Sequence, residues 1–130
     1  MKNFDDKLLS MAVEAAENAY APYSNFKVGA AIRTGDGKIF TGCNIENASF
    51  SLTVCAERVA LFKAVSEGKT NFTEIAIFVN NEKLFPPCGA CRQVLAEFNI
   101  DMKVVYASKS NTDEPIIKPL KELLPDSFNL

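Results

Sequence analysis

The chain has 130 residues, 48% of them hydrophobic, with a formal net charge of −2. That length suits one domain, residues 1–130, around one core. The lack of a basic field argues against a nucleic acid held through its phosphates and leaves a small molecule as the expected partner.

Histidine is absent, so no imidazole ligates metal or serves as general base, and proton transfer falls to carboxylates or thiols. The N-terminus lacks the apolar run of a secretory signal, and no segment reaches transmembrane length. A cytoplasmic protein with no membrane partner is expected. Its four cysteines then serve as thiols and metal ligands rather than disulfides.

Asp5 to about Tyr20 reads as a first helix, acidic in its opening turn, with Leu8, Met11, Ala12, Ala15 and Ala19 along one side. Ala21-Pro22-Tyr23-Ser24 ends it. Residues 26–34 and 38–43 are strand-like around Gly35-Asp36-Gly37, an antiparallel hairpin. The small run Gly29-Ala30-Ala31 predicts close approach of a ligand or of a packed helix.

A second helix spans about Val54 to Glu67, with Val59, Phe62, Ala64 and Val65 in its periodic pattern, and Gly68 closes it. Residues 74–80 are apolar enough for a strand covered on both faces. A third helix covers about Gly89 to Phe98, its buried side expected at Ala90, Val94, Leu95 and Phe98. A buried strand follows at 103–107, an edge strand near 115–118 and a last helical turn at 121–124. Strand, helix, strand implies right-handed parallel crossovers. The layout is a mixed five-stranded sheet with helices packed on it, and ligands gather at the rim of such sheets.

Two stretches carry chemistry. In Pro86-Pro87-Cys88-Gly89-Ala90-Cys91 the prolines favour an extended approach and a helix start at Gly89, which puts both sulfurs on its first turn. The helix N-terminus there favours thiolate, the form that ligates metal. Cys55-Ala56-Glu57 offers a third thiol at another helix start and a carboxylate two residues on. Three thiolates leave one tetrahedral position open, as in a catalytic zinc site. The pattern matches the zinc-deaminase signature, with Cys55 where many members have histidine. On the residues alone, two alternatives stay open. Cys88 and Cys91 would also make a redox pair or structural half-site, and Cys43 would complete a closed four-sulfur module that only binds partners.

Around these stretches the chain closely resembles the small, homotetrameric, zinc-dependent cytidine deaminases. The likeness runs through residues 21–31, 42–48, 55–58 and 87–94. It implies a three-layer α-β-α fold, one zinc per subunit on Cys55, Cys88 and Cys91, and hydrolysis of cytidine or deoxycytidine to the uracil nucleoside and ammonia in pyrimidine salvage. Zinc-bound hydroxide would add at C4, with Glu57 shuttling the protons.

Phe26 reads as core on composition, but the resemblance sets its ring against the pyrimidine. Asn44 and Glu46 read as a turn residue and a solvated carboxylate; the resemblance gives them the ribose 3′-hydroxyl, and gives the Ala56 backbone the base. Three thiolates on a dication leave net negative charge, and Arg58 is the cation placed to offset it; the plain alternative is a surface ion pair. The resemblance also implies active sites shared between subunits, with Ala48, Phe50 and Phe128 near the boundary. Phe50 is a departure, because many relatives carry a tyrosine there that reaches the 5′-hydroxyl. Antibiotic aminonucleoside deaminases share the zinc motifs, but Phe26 with Asn44-Ile45-Glu46 favours a nucleoside. Polynucleotide deaminases would need a basic groove.

Overall fold

Asp5 starts the first helix, α1 (Asp6–Ala16), its carboxylate accepting from the amides of Lys7 (2.9 Å) and Leu8 (3.3 Å). The computed structural model describes residues 3–130. The helix stops short of the expected Tyr20. Tyr20 instead pairs with the Asn44–Glu46 segment, donating to the Asn44 carbonyl (3.0 Å) and accepting from the Glu46 amide (2.8 Å). Long-range backbone pairing prevails here over helix continuation. The buried face is Leu8, Leu9, Ala12 and Ala16, so the expected Met11 and Ala15 lie at its margin, half-buried.

The hairpin forms as β1 (Val28–Thr34) and β2 (Ile39–Cys43), with Gly37 supplying the positive φ (88°) its turn requires. Three more strands follow: β3 (Phe72–Val79), β4 (Lys103–Ser108) and β5 (Ile116–Pro119). The sheet order is β2-β1-β3-β4-β5. β1 is antiparallel to both neighbours, β3 and β4 are parallel, and β5 is an antiparallel edge. β2 and β3 thus point the same way, and both β2–α2–β3 and β3–α3–β4 connect like-directed strands through the helices α2 (Ala56–Ser66) and α3 (Gly89–Ala96).

Alternation along the strands builds two cores, as a pleat requires. Ala30, Ile32, Ile75, Ile77, Val104 and Tyr106 face α2, α3 and the short α4 (Leu120–Leu123). Ala31, Ala76, Phe78, Val105 and Ala107 face α1. This is the expected three-layer α-β-α arrangement. The small run at 29–31 serves helix packing, because a Cβ on Gly29 would lie 1.9 Å from the Ala12 carbonyl oxygen of α1. Gly42 does the same for α2, where a Cβ would meet the Ala60 amide at 2.5 Å and the Ala56 carbonyl at 2.7 Å. The first turn of α2 is thereby drawn flat onto the sheet.

One expected buried position is wrong: Ala90 of α3 is exposed, as is Phe62 in the periodic pattern of α2, because the helices pack through narrower faces than their periodicity suggested. Among the described residues, no helix is long and apolar enough to cross a membrane.

Candidate metal centre and cleft

Cys55 and Cys88 are the N-cap residues of α2 and α3, both extended (ψ 154° and 161°), and Cys91 lies in the first turn of α3. Extended backbone is what a helix N-cap prefers, and the approach to each is extended too: Val54 is held in a bridge to Ile45, and Pro86 lies before Pro87 ahead of Cys88. Two helix starts therefore converge from different crossovers. The three sulfurs lie within 4.8 Å of one another, and Cys55 Sγ is 3.7 Å from Cys88 Sγ. A tetrahedral ion with metal–sulfur bonds of about 2.3 Å needs sulfurs about 3.8 Å apart, so the cage fits zinc. Sulfur-only donors also select zinc over the hard cations. Cys43 is outside the cluster, so the closed four-sulfur alternative lacks its fourth ligand.

The electrostatics suit a cation. The Cys55 thiol is lowered to about 5, first by a hydrogen bond from the Cys91 thiol and then, against burial, by Arg58 and Cys88. Cys91, the partner that keeps the proton, is pushed up. A dication bound by the cage draws that proton off, since a coordinating thiol is deprotonated. Arg58 donates from a terminal guanidinium nitrogen to Cys55 Sγ (3.5 Å), while its buried Nε has no hydrogen-bond partner among the described residues. The Arg58 guanidinium is thus turned toward sulfur rather than paired with a surface carboxylate.

Glu57 is 4% exposed. Burial first, and then the nearby Cys55 thiolate, raise its carboxyl to about 7. It opens with Cys55, Cys88 and Ala56 into a cleft of about 290 Å³, small for a ligand pocket, as these commonly run from about 300 Å³ upward. The walls are mainly apolar and come from the carboxyl end of β3 and the 85–87 loop. This is the sheet rim where ligands of open α/β folds gather.

Phe26 lies outside β1, 40% exposed, and lines the cleft instead of the core its composition suggested. Its ring meets that of Phe85 at 5.3 Å between centroids. Phe85 is the aromatic lining residue that the sequence reading did not place in the site, along with Val28, Thr53, Ile77 and Val79; for Phe85 the signal available was an aromatic directly before the Pro86-Pro87 pair. Asn44 is buried with its amide engaged twice, Oδ1 accepting from the Val28 amide (2.8 Å) and Nδ2 donating to the Phe26 carbonyl (2.8 Å). It lines the cleft and holds Phe26 in place. Glu46 Oε1 accepts from the amides of Tyr23 (2.9 Å) and Ser24 (3.1 Å), and Oε2 accepts from the Ser24 hydroxyl. The Ser24 hydroxyl is the first cause holding this carboxyl below its ordinary range. Ala48, Phe50 and Phe128 do not line the cleft within one chain; Phe50 and Phe128 are 74% and 70% exposed.

Fold and cage together define an α/β metalloprotein with a thiolate zinc site at the rim of its sheet. Residues 2–108 match the model of the cytidine and deoxycytidylate deaminase zinc-binding region. A cytidine deaminase of Halalkalibacterium halodurans is 48% identical over 93% of this chain and 91% of its own length. The crystal structure of cytidine deaminase from Burkholderia pseudomallei superposes with a TM-score of 0.89 at 45% identity, covering 98% of this chain and all of that one. That of the Mycobacterium tuberculosis enzyme gives 0.81 at 38% identity over 96% and 97% of the two chains. The chain belongs to the cytidine deaminase family, and zinc is its cofactor.

Proposed function

We propose that residues 1–130 act as one catalytic domain that hydrolyses cytidine and deoxycytidine to the uracil nucleosides and ammonia, a pyrimidine-salvage reaction in the cytoplasm. The observation that carries this reading is a buried carboxylate, Glu57, sharing a small apolar cleft with a three-thiol cage.

Cys55, Cys88 and Cys91 would hold zinc, which when bound would supply an activated water for attack on the ring carbon that bears the amine. Among the described residues, Glu57 is the one buried carboxylate beside the cage. It accepts the proton that the water gives up, delivers it to the ring nitrogen next to the attacked carbon, and carries a proton to the departing amine. Water adds and ammonia leaves, so the balance closes with no other reactant. Burial keeps Glu57 out of bulk water, so the same group can take and give a proton without loss to solvent.

Binding falls to the rest of the cleft. Phe26 and Phe85 offer aromatic surface to the pyrimidine, and the backbone of Ala56 reads the polar edge of the base. Glu46 and Asn44 bind the ribose 3′-hydroxyl; Glu46 is already ionised and fixed by three donors, so it is ordered before the sugar arrives. Arg58 offsets the charge of three thiolates. We assign Ala48, Phe50 and Phe128 to the boundary between subunits of a homotetramer with shared sites. Their exposure, together with that of Leu52 and Phe62, supports a surface covered by another copy.

The test is ammonia release from cytidine and from deoxycytidine, with zinc measured per chain. Wild-type protein should turn over both. Glu57→Gln should keep its zinc and lose turnover by about 10²–10⁴-fold. A Glu57→Gln protein as active as wild type would end this reading.

A further inference from the structure

Cys88 is the exposed member of the metal cage, whereas Cys91 is fully buried. It also follows an irregular stretch. Among the described residues, one hydrogen bond holds the backbone of residues 84–87: Arg92 Nε donates to the Pro87 carbonyl (2.7 Å). Pro86 and Pro87 have no amide to contribute. The Pro87 carbonyl belongs to the peptide plane that leads into Cys88, so that bond sets where the Cys88 Cα and its sulfur lie.

The same guanidinium reaches further. Its terminal nitrogen donates to the carbonyl of Leu123 (2.7 Å), the last residue of α4. That carbonyl has no partner within the helix, and an arginine there caps it. The neighbouring Gln93 adds a second tie, Nε2 donating to the Phe128 carbonyl (3.2 Å). Both ties leave from α3, the helix whose start carries two of the three sulfurs.

We propose that Arg92 is a positioning residue of the metal site: it fixes the Pro87–Cys88 peptide by tying it to the C-terminal end of α4. Metal retention and the docking of α4 then depend on each other, since a coupling between two sites acts in both directions. The inference rests on zinc binding as proposed above. The planar guanidinium holds its donors in a fixed fork that meets both carbonyls at once, whereas a lysine offers its three donors from a single nitrogen on a flexible stem and holds the pair less rigidly.

Two readouts other than turnover test it. Arg92→Ala should release zinc to a competing chelator about tenfold faster than wild type, the usual effect of removing a partner behind the ligands. Arg92→Lys should fall between the two. Amide exchange over residues 120–124 should speed up in wild-type protein when zinc is stripped. In Arg92→Ala it should be fast with or without zinc. Wild-type release rates in Arg92→Ala would overturn the proposal. So would exchange at 120–124 that ignores zinc in the wild type, an arm that stands even if Arg92→Ala fails to fold. Wild-type protein that binds no zinc would overturn the function proposed above and this inference with it.

Discussion

At the N-terminus of α1 the Asp5 carboxylate takes two of the helix's free amides, and it also pairs with Arg33 of β1. At the starts of α2 and α3 the same position is held by cysteine. The Cys55 side chain caps nothing, and the Cys88 sulfur accepts one long bond from the Cys91 amide (3.4 Å). A carboxylate or hydroxyl cap is worth about 1 kcal/mol, and sulfur is a poor substitute. The difference teaches what each helix end is for. The end of α1 is closed on itself and serves stability, whereas the positive ends of α2 and α3 are left for thiolates, and through them for a cation.

If that contrast is right, the largest effect follows from removing a sulfur cap. Cys55→Ala should lose zinc outright, measured as metal per chain after dialysis, while Cys43→Ser should keep the full complement. Zinc loss from Cys43→Ser would bring back the closed structural site. Next comes Glu46, the cleft carboxylate proposed to bind the sugar. Glu46→Ala removes a charged hydrogen-bonding group, so steady-state kinetics with cytidine should show KM raised by about ten- to a hundredfold with kcat less affected. An unchanged KM would take Glu46 out of the site.

Arg58→Ala should loosen the metal by about tenfold in a chelator competition and lower turnover with it, because the thiolate charge loses its offset. Equal affinity and turnover would return Arg58 to the role of an ordinary surface cation. The smallest effect belongs to α1. Asp5→Ala should cost about 1 kcal/mol in thermal unfolding with zinc content and kinetics unchanged. Asp5→Asn should cost less, since an amide oxygen still caps. A change in zinc content on either substitution would erase the distinction between the two kinds of helix end.

Much of the site was legible because its elements are local. Proline before Cys88 and the helical pattern after it place that cysteine at a helix start whatever surrounds it, and the same holds for Cys55. The choice between core and cleft for Phe26 was not legible, because a single aromatic beside a strand carries no period. Nor was Phe85, whose role appears only when the 85–87 loop folds against Phe26. Phe62 and Ala90 misled for a related reason: periodicity marks an apolar face, but the neighbouring element decides how much of it is covered.

What the amino-acid order determined by itself was the chemistry on offer: three thiols and a carboxylate at helix starts, no imidazole, and a hairpin followed by like-directed crossovers. Those follow from backbone preferences acting over a few residues. That Cys55 meets Cys88 at 3.7 Å, with Cys43 left out and Glu57 buried beside them, was decided by the sheet. β3 runs on the far side of β1 from β2, so two helix starts distant in the chain arrive at one rim, where Gly42 lets α2 lie close enough for its sulfur to reach.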